Sequence, residues 1–476
     1  MFKHPLLGKL LGIGLVAVLL SLLLARIGFL VDERSARQEE AVRSVQRASA
    51  GEQTLIGPLL QRQCTEEWTA RDDNGKTRTE RRTYAVVAPP SVLEVSSQLT
   101  TEARYRGLFK VNGYVTQLTL EVQWRDGVGA LAAQAEHPGG RLSCQAPTLM
   151  LALGDVRGVR AAQVKTVADT ANGSTEWVVR PGTGHEIYTQ GWHAVAPATA
   201  GPLHLNITLE LAGTARLALV PVAEDTRWRL QANWPHPSFG GRFLPVEREI
   251  TPQGFSARWR VSALASSAST EVRKGQALCA SPSPSRYAAP GEEGDAPAPT
   301  DNCLDTLTVT FIDPVNPYML SDRAIKYGLL FIGLTFMAVA LAEVLGRERI
   351  RRVHPIQYAL VGLALTLFFL LLLSLSEHLS FAWAYAVASA ACVLLLGLYT
   401  GHMLGTSRAG LGFGAGMAGL YGLVYLLLNS EQMALVIGSV GLFLALGAVM
   451  WLTRRVDWYS AFTPPGRKDP LSPPVE

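Results

Sequence analysis

The sequence predicts an α+β membrane protein. It has six transmembrane helices, one plus five, and a large antiparallel, β-rich, sandwich-like periplasmic domain inserted between helices 1 and 2. Three observations carry this. Six apolar segments, near residues 10–30, 324–345, 356–376, 380–400, 409–428 and 433–452, are each long enough to cross a hydrocarbon core of about 30 Å as a helix. The short connections between them alternate between basic and non-basic. The polar stretch 31–322 is written largely in period-two alternation, the mark of half-buried strands.

Whole-chain averages conceal this division. The 476 residues carry a formal charge of +4 and 17% charged side chains. Residues 324–452 are dense in Leu, Ala, Val, Gly and Phe, whereas 31–322 have the charge content of a soluble protein. No Lys/Arg-rich run with interleaved aromatics occurs, so nucleic acid is not an expected partner. The lipid bilayer is.

Orientation follows from the positive-inside rule. Lys3 and Lys9 precede the first span. Arg347, Arg349, Arg351 and Arg352 lie between the second and third spans, and Arg408 lies between the fourth and fifth. Arg454, Arg455, Arg467 and Lys468 follow the sixth. The other two connections hold Glu377 and His378, and Asn429, Ser430 and Glu431, without Lys or Arg. The expectation is a multi-pass protein of the bacterial inner membrane with both termini cytoplasmic and residues 31–322 periplasmic. The first span has signal-peptide features but lacks a small-x-small cleavage site before Asp32, so it reads as an uncleaved anchor.

In chain order, residues 1–50 form the anchor helix with a periplasmic extension. Its charged second half keeps a thin stripe of Ala36, Ala41, Val42, Val45 and Ala48, and Gly51 is expected to end it. Residues 51–322 form the β-rich domain. Alternation is clearest at Leu118–Trp124, Leu203–Leu211, Trp228–Trp234, Phe255–Val261 and Leu307–Phe311. Residues 280–302, rich in Pro, Ala, Ser, Gly and acids, form a flexible insertion. Residues 323–453 form a five-helix bundle, and 454–476 a cytoplasmic tail. Cys64, Cys144, Cys279 and Cys303 fall in the exterior domain and Cys392 within a span. Four cysteines allow three pairings. Cys64–Cys144 and Cys279–Cys303 are favoured, the second because it pinches the insertion into a loop, with free buried thiols as the alternative.

Motifs that carry chemistry are few. Gly414–Gly419 spells G-x-G-x-x-G but neither follows a strand nor opens a soluble helix, which excludes dinucleotide binding. Glycines in this segment, Gly412, Gly416 and Gly419 among them, read as helix-packing positions. No Asp, Lys or Arg lies mid-span, which disfavours a coupled transporter. The nine histidines are scattered without metal spacing, and no nucleophile constellation occurs, so no catalytic residue, metal or cofactor is expected. The string G-D-V-R-G at Gly154–Gly158 reads as a turn held by an Asp155–Arg157 ion pair. The candidate recognition turn is Asn233, Trp234, Pro235, His236, Pro237, Ser238 and Phe239. There two prolines bracket a histidine and two aromatics pin a rigid exit from a strand.

Several of these strings together resemble the CreD family of bacterial inner-membrane, or cell-envelope-integrity, proteins. They are Gly57-Pro58-Leu59, Gly154–Gly158, Arg180–Gly184, Asn233–Phe239 with Phe243-Leu244-Pro245, and Leu320–Tyr327. Leu334–Ala338, His354–Gly362, Ser374–His378 and Arg455–Tyr459 complete the set. The resemblance implies a two-component regulon, colicin tolerance and a β-lactam stress response. It implies no catalytic residues. The expected function is a non-enzymatic membrane protein supporting or sensing envelope integrity, with an envelope protein, glycan or lipid as partner. A transporter or channel component gated by the exterior domain is the alternative, and an exterior hydrolase the weakest reading.

Overall fold

A computed structural model describes residues 5–71, 77–167, 175–197, 201–277, 304–311, 316–345, 353–403, 405–430 and 433–454. The chain divides into two compact units, Met1–Gln38 with Val315–Glu476, and Glu39–Pro314. Helix α1 (Pro5–Ala48) is 44 residues long. At 1.5 Å per residue it measures about 66 Å, twice what a bilayer core requires. Ala41 and Val45 of the thin apolar stripe are buried. Gly51 does not end the helix in a left-handed turn. The helix stops at Ala48, and Gly51 leads directly into the first strand.

The second unit is built from a nine-stranded and an eight-stranded sheet. The spine of the first is the strand Gln53–Arg71. It pairs antiparallel with Thr77–Ala88, Arg141–Cys144 and Thr148–Ala152, with a bulge between Ile56 and Leu59. The second is centred on the hairpin Val92–Arg106/Phe109–Trp124, flanked on one side by Leu203–Thr214. The predicted all-antiparallel pattern requires correction. Gln53–Leu55 runs parallel to Leu217–Leu219, and Asp225–Ala232 runs parallel to Val92–Leu99. Both pairs join strands more than a hundred residues apart. Only adjacent strands joined by tight turns are obliged to be antiparallel.

Both sheets contribute to one core. Leu55, Leu59, Leu149 and Leu151 come from the first, and Val95, Leu120, Ile207 and Leu230 from the second. Trp124, Trp228 and Trp259 are its largest buried side chains. Each indole N–H finds an acceptor: Ala88 O at 3.0 Å, Ser97 Oγ at 2.9 Å and Phe243 O at 3.2 Å. That satisfaction is what makes a buried tryptophan tolerable. The short helix α2 (Ala268–Arg273) follows. The insertion expected at 280–302 and the Cys279–Cys303 pairing lie outside the described residues.

The amphipathic helix α3 (Pro317–Lys326) precedes the apolar helices α4 (Gly328–Leu345), α5 (Pro355–Ser376), α6 (Phe381–Met403), α7 (Ser407–Asn429) and α8 (Ala434–Thr453). By length and apolarity α1, α5, α6 and α7 qualify as spans. The α3–α4 pair makes a fifth if counted as one, and the apolar stretch of α8, Val436–Trp451, is shorter. The segment 324–345 is not one continuous helix, because α3 and α4 meet at a 43° bend. Gly328 sits at the break. A Cβ there would lie 3.0 Å from Leu24 and 3.3 Å from Phe369, so any larger residue would need those side chains to shift. At the start of α5, His354 caps the Ile356 N–H and Gln357 Oε1 accepts the His354 N–H, a capping box followed by Pro355 at the first helical position.

Helices α6 and α7 approach closely through glycines, but not through the predicted ones. A Cβ on Gly410 would lie 2.6 Å from both Gly397 O and Gly401 Cα, and one on Gly414 would lie 3.7 Å from Gly397 Cα. Gly412, Gly416 and Gly419 have nothing within 4 Å. The 3.6-residue period explains the correction, since positions 410, 414, 417 and 421 share one face and 412, 416 and 419 lie off it. Met417 and Tyr421 are buried with them.

Candidate functional site

A connected hydrogen-bond network in the Glu39–Pro314 unit holds the end of α1. A helix leaves its last carbonyls without intrahelical partners. Here the Arg157 guanidinium takes two of them, donating from NH1 to Arg47 O at 2.6 Å and from NH2 to Gln46 O at 3.1 Å. Its other side is fixed by Asp155. Nε donates to Oδ1 at 2.9 Å and NH2 to Oδ2 at 2.5 Å, a two-pronged charge-assisted pair. Asp155 Oδ2 also accepts the Gly51 N–H at 2.9 Å, and its main chain is bracketed by the buried Gln53 amide. Thr214 completes the grip, its N–H on Gly51 O at 3.0 Å and its hydroxyl on Ala50 O at 3.1 Å. Burial alone would raise the Asp155 carboxyl. The Arg157 guanidinium and the Gly51 N–H outweigh it and hold the pKa below the ordinary value. The expected local ion pair is therefore present, and it also clamps a helix end.

Within the other unit, two ion pairs tie α1 to the C-terminal helices. Lys9 Nζ lies 2.6 Å from Glu343 at the end of α4, and Arg34 Nε lies 3.6 Å from Glu377 after α5. The Tyr318 hydroxyl donates to Glu377 at 3.4 Å, and Asn316 Nδ2 to Gln38 at 3.3 Å. From Lys9 to Arg34 is 25 residues, about 37 Å of helix, which brackets a hydrocarbon core with its interfaces. Arg26, inside the first span toward the Arg34 end, is exposed. Its stem is long enough to carry the charge outward along the helix. Between the two pairs, Tyr385 donates to Tyr421 O and the Tyr421 hydroxyl to Cys392 Sγ at 3.2 Å.

The turn Asn233–Phe239 carries the chain from one sheet to the other. Asn233 Oδ1 accepts from Thr101 N at 2.7 Å, Trp234 Nε1 donates to His236 O at 2.8 Å, and Pro237–Gly241 joins the sheet beside Leu307–Phe311. Phe239 packs edge-on against Phe255 and Trp259. His236 is exposed. Cys64 and Cys144 form a disulfide between directly opposed strand residues. The buried Cys392 is a free thiol. His185 and His193 serve loop hydrogen bonds to Tyr188 N and Gly182 O.

One buried group escaped sequence reading. The Glu66 side chain is 0% exposed; it accepts the His137 N–H at 2.8 Å and faces its Nδ1 at 3.3 Å, while Trp68 stacks on the imidazole at 3.8 Å. The His137 N–H holds the Glu66 pKa below the ordinary glutamate value. A carboxyl depressed on folding stabilises the fold above its unfolded pKa and loses that contribution as pH falls through the folded value. Segment 132–140 is therefore expected to become protease-sensitive as pH falls below the ordinary glutamate range. Glu66→Gln should flatten that pH dependence, as limited proteolysis across pH would show.

An N-terminal apolar helix, an inserted two-sheet domain and a set of apolar C-terminal helices define a multi-pass α+β membrane protein. A family model described as Inner membrane protein CreD matches residues 5–459. The Inner membrane protein CreD of Escherichia coli (strain K12) is 32% identical over 471 residues, covering 98% of this chain and 97% of that one. The chain belongs to the CreD family of inner membrane proteins. Among solved structures, an M1 zinc metallopeptidase from Deinococcus radiodurans, as a mutant bound to a Tyr-ser-ala substrate, matches 36% of this chain and 38% of that one. It is 11% identical with a TM-score of 0.19. The same enzyme without that substrate gives 9% and 0.18 over the same shares. Likenesses this weak carry no argument.

Proposed function

We propose that this inner-membrane protein is a non-enzymatic element that supports or senses the cell envelope, with its two-sheet domain in the periplasm. The observation that carries the reading is the clamp on α1. The final carbonyls of α1 are held by Arg157, itself locked by Asp155, so the end of the helix is fixed to the sandwich. Helix α1 is unbroken from Pro5 to Ala48 and belongs to both units, and we take this shared helix as the route for a load or ligand signal. Alternating basic connections support the periplasmic placement, as does the Cys64–Cys144 disulfide, which suits an oxidising compartment.

The test is Arg157→Ala in cells, at matched abundance. Loss of the carbonyl cap leaves Asp155 with its Gly51 bond, so the domain should still fold. Tolerance of β-lactams or colicins should nevertheless fall to the level of cells lacking the protein. Wild-type tolerance in that strain overturns the coupling. The break between α3 and α4 favours a second reading as a transporter component, since interrupted helices line transport sites. Solute flux through the pure protein in vesicles would replace the first reading with that one.

A further inference from the structure

The hairpin Val92–Arg106/Phe109–Trp124 outruns the sheet it belongs to. Leu203–Thr214 stops opposite Gly113, and Asp225–Ala232 stops opposite Leu99. Ala103–Asn112 then form a ladder of these two strands alone, with the Ala215 N–H on Asn112 O as the last backbone tie to the sheet, closing at Arg106–Phe109 over Gly107 (φ 61°) and Leu108. From Gly113 to Gly107 this overhang measures about 20 Å.

Its place on the domain is specific. Thr214, opposite Gly113, binds Ala50 O and Gly51 O, where the chain arrives from α1. Asn112 Nδ2 donates to Phe311 O at 3.3 Å, where the chain leaves toward α3. The overhang therefore projects from the end of the sandwich that carries both connections to the apolar helices.

Its composition is equally specific. Tyr105 and Leu108 are 68% and 58% exposed. Residues 102–110 hold Arg104, Arg106 and Lys110 against Glu102, three cations and one anion, net +2. Lys110 turns back over the Trp234 ring at 5.7 Å, and Arg104 lies 3.8 Å from Glu102, which leaves Arg106 as the outward cation. A tip serving only to close a hairpin needs small polar residues. A tyrosine, a leucine and a collar of guanidinium groups instead match the layers of an anionic bilayer surface: ring at headgroup depth, aliphatic carbon at the acyl boundary, cation on phosphate.

We propose that the Arg104–Lys110 tip docks on the anionic lipid surface of the membrane in which the protein is embedded. It gives the domain a lipid-dependent foothold besides its two covalent connections. The inference holds for either orientation of the protein, since it names the surface on the domain's own side.

The test uses the full-length protein in vesicles of phosphatidylcholine, alone or mixed with phosphatidylglycerol. A photoreactive benzophenone side chain replaces Leu108 or, as control, Leu264. Leu264 is 100% exposed and follows the strand end at Ser262, which pairs with Asp225 and so lies at the opposite end of the sandwich. Irradiation should give a lipid adduct at 108 about tenfold more abundant than at 264, rising with phosphatidylglycerol. Arg104→Glu with Arg106→Glu should abolish that rise. Equal adducts at 108 and 264, a yield indifferent to lipid charge, or an adduct at 108 to protein instead of lipid would each overturn the proposal.

Discussion

Replacing Gly158 with alanine is expected to destabilise the two-sheet domain by about 3 kcal/mol or more, at the upper end of what overpacking costs. A Cβ there would lie 2.1 Å from Ala212 O and 2.4 Å from Gln53 Nε2. The amide could rotate away, but the carbonyl belongs to Leu203–Thr214, a strand paired on both edges. Gln53→Ala should therefore fail to rescue the variant. Moving the backbone at 158 would also drag the Asp155–Arg157 turn off the carbonyls of α1, so the clamp loosens with the fold. Gly240→Ala is the matched control, because nothing lies within 4 Å of a Cβ there and the backbone is not left-handed. It should stay within about 1 kcal/mol of the parent. Thermal unfolding of the purified protein, with the domain followed by protease resistance, separates the two. Equal midpoints for Gly158→Ala and the parent would mean that the turn is not seated as described.

How far this was legible in the sequence depends on the range of the forces involved. The strands Leu118–Trp124, Leu203–Leu211 and Phe255–Val261 announce themselves, because burial of one face forces period two. The apolar helices follow from composition. The family was legible too, from short strings such as Gly154–Gly158 and Asn233–Phe239, which prove to be a helix clamp and a crossing between sheets. What stayed hidden depends on pairs far apart in the chain. Arg157 meets Gln46 O across 111 residues, and the two parallel strand pairs join segments more than a hundred residues apart. The α7 glycines show the same limit. Gly410 to Gly422 offers small residues on several faces, and only Gly397 and Gly401 on α6 select Gly410 and Gly414 over Gly412, Gly416 and Gly419. Glu66 gave no signal at all, as an acid beside Glu67 in a polar strand segment reads as solvated.

Removing the disulfide with the double substitution Cys64→Ala and Cys144→Ala should cost the domain about 4 kcal/mol, because the bond closes a loop of 80 residues and restricts the unfolded chain accordingly. The loss should concentrate where the bond acts. Arg141–Cys144 is a four-residue strand held to the long strand Gln53–Arg71 at Cys64–Glu67, and it follows the segment that places His137 on Glu66. Without the covalent tie, that short strand retains only a few ladder bonds, each worth about 1 kcal/mol. Segment 132–144 should then exchange amide hydrogens far faster, while the hairpin Val92–Arg106/Phe109–Trp124 of the other sheet changes little. Unchanged exchange at 132–144 would refute the assignment. The same bond reports on placement: with the domain outside, protein from growing cells should resist thiol alkylation at Cys64 and Cys144 until reduced, and a strain unable to form disulfides outside the cytoplasm should yield both thiols free. Free thiols in ordinary cells would put the sandwich on the reducing side. The charge argument and the bond would then contradict each other, because the connections that lack Lys and Arg must face the same compartment as a stable cystine.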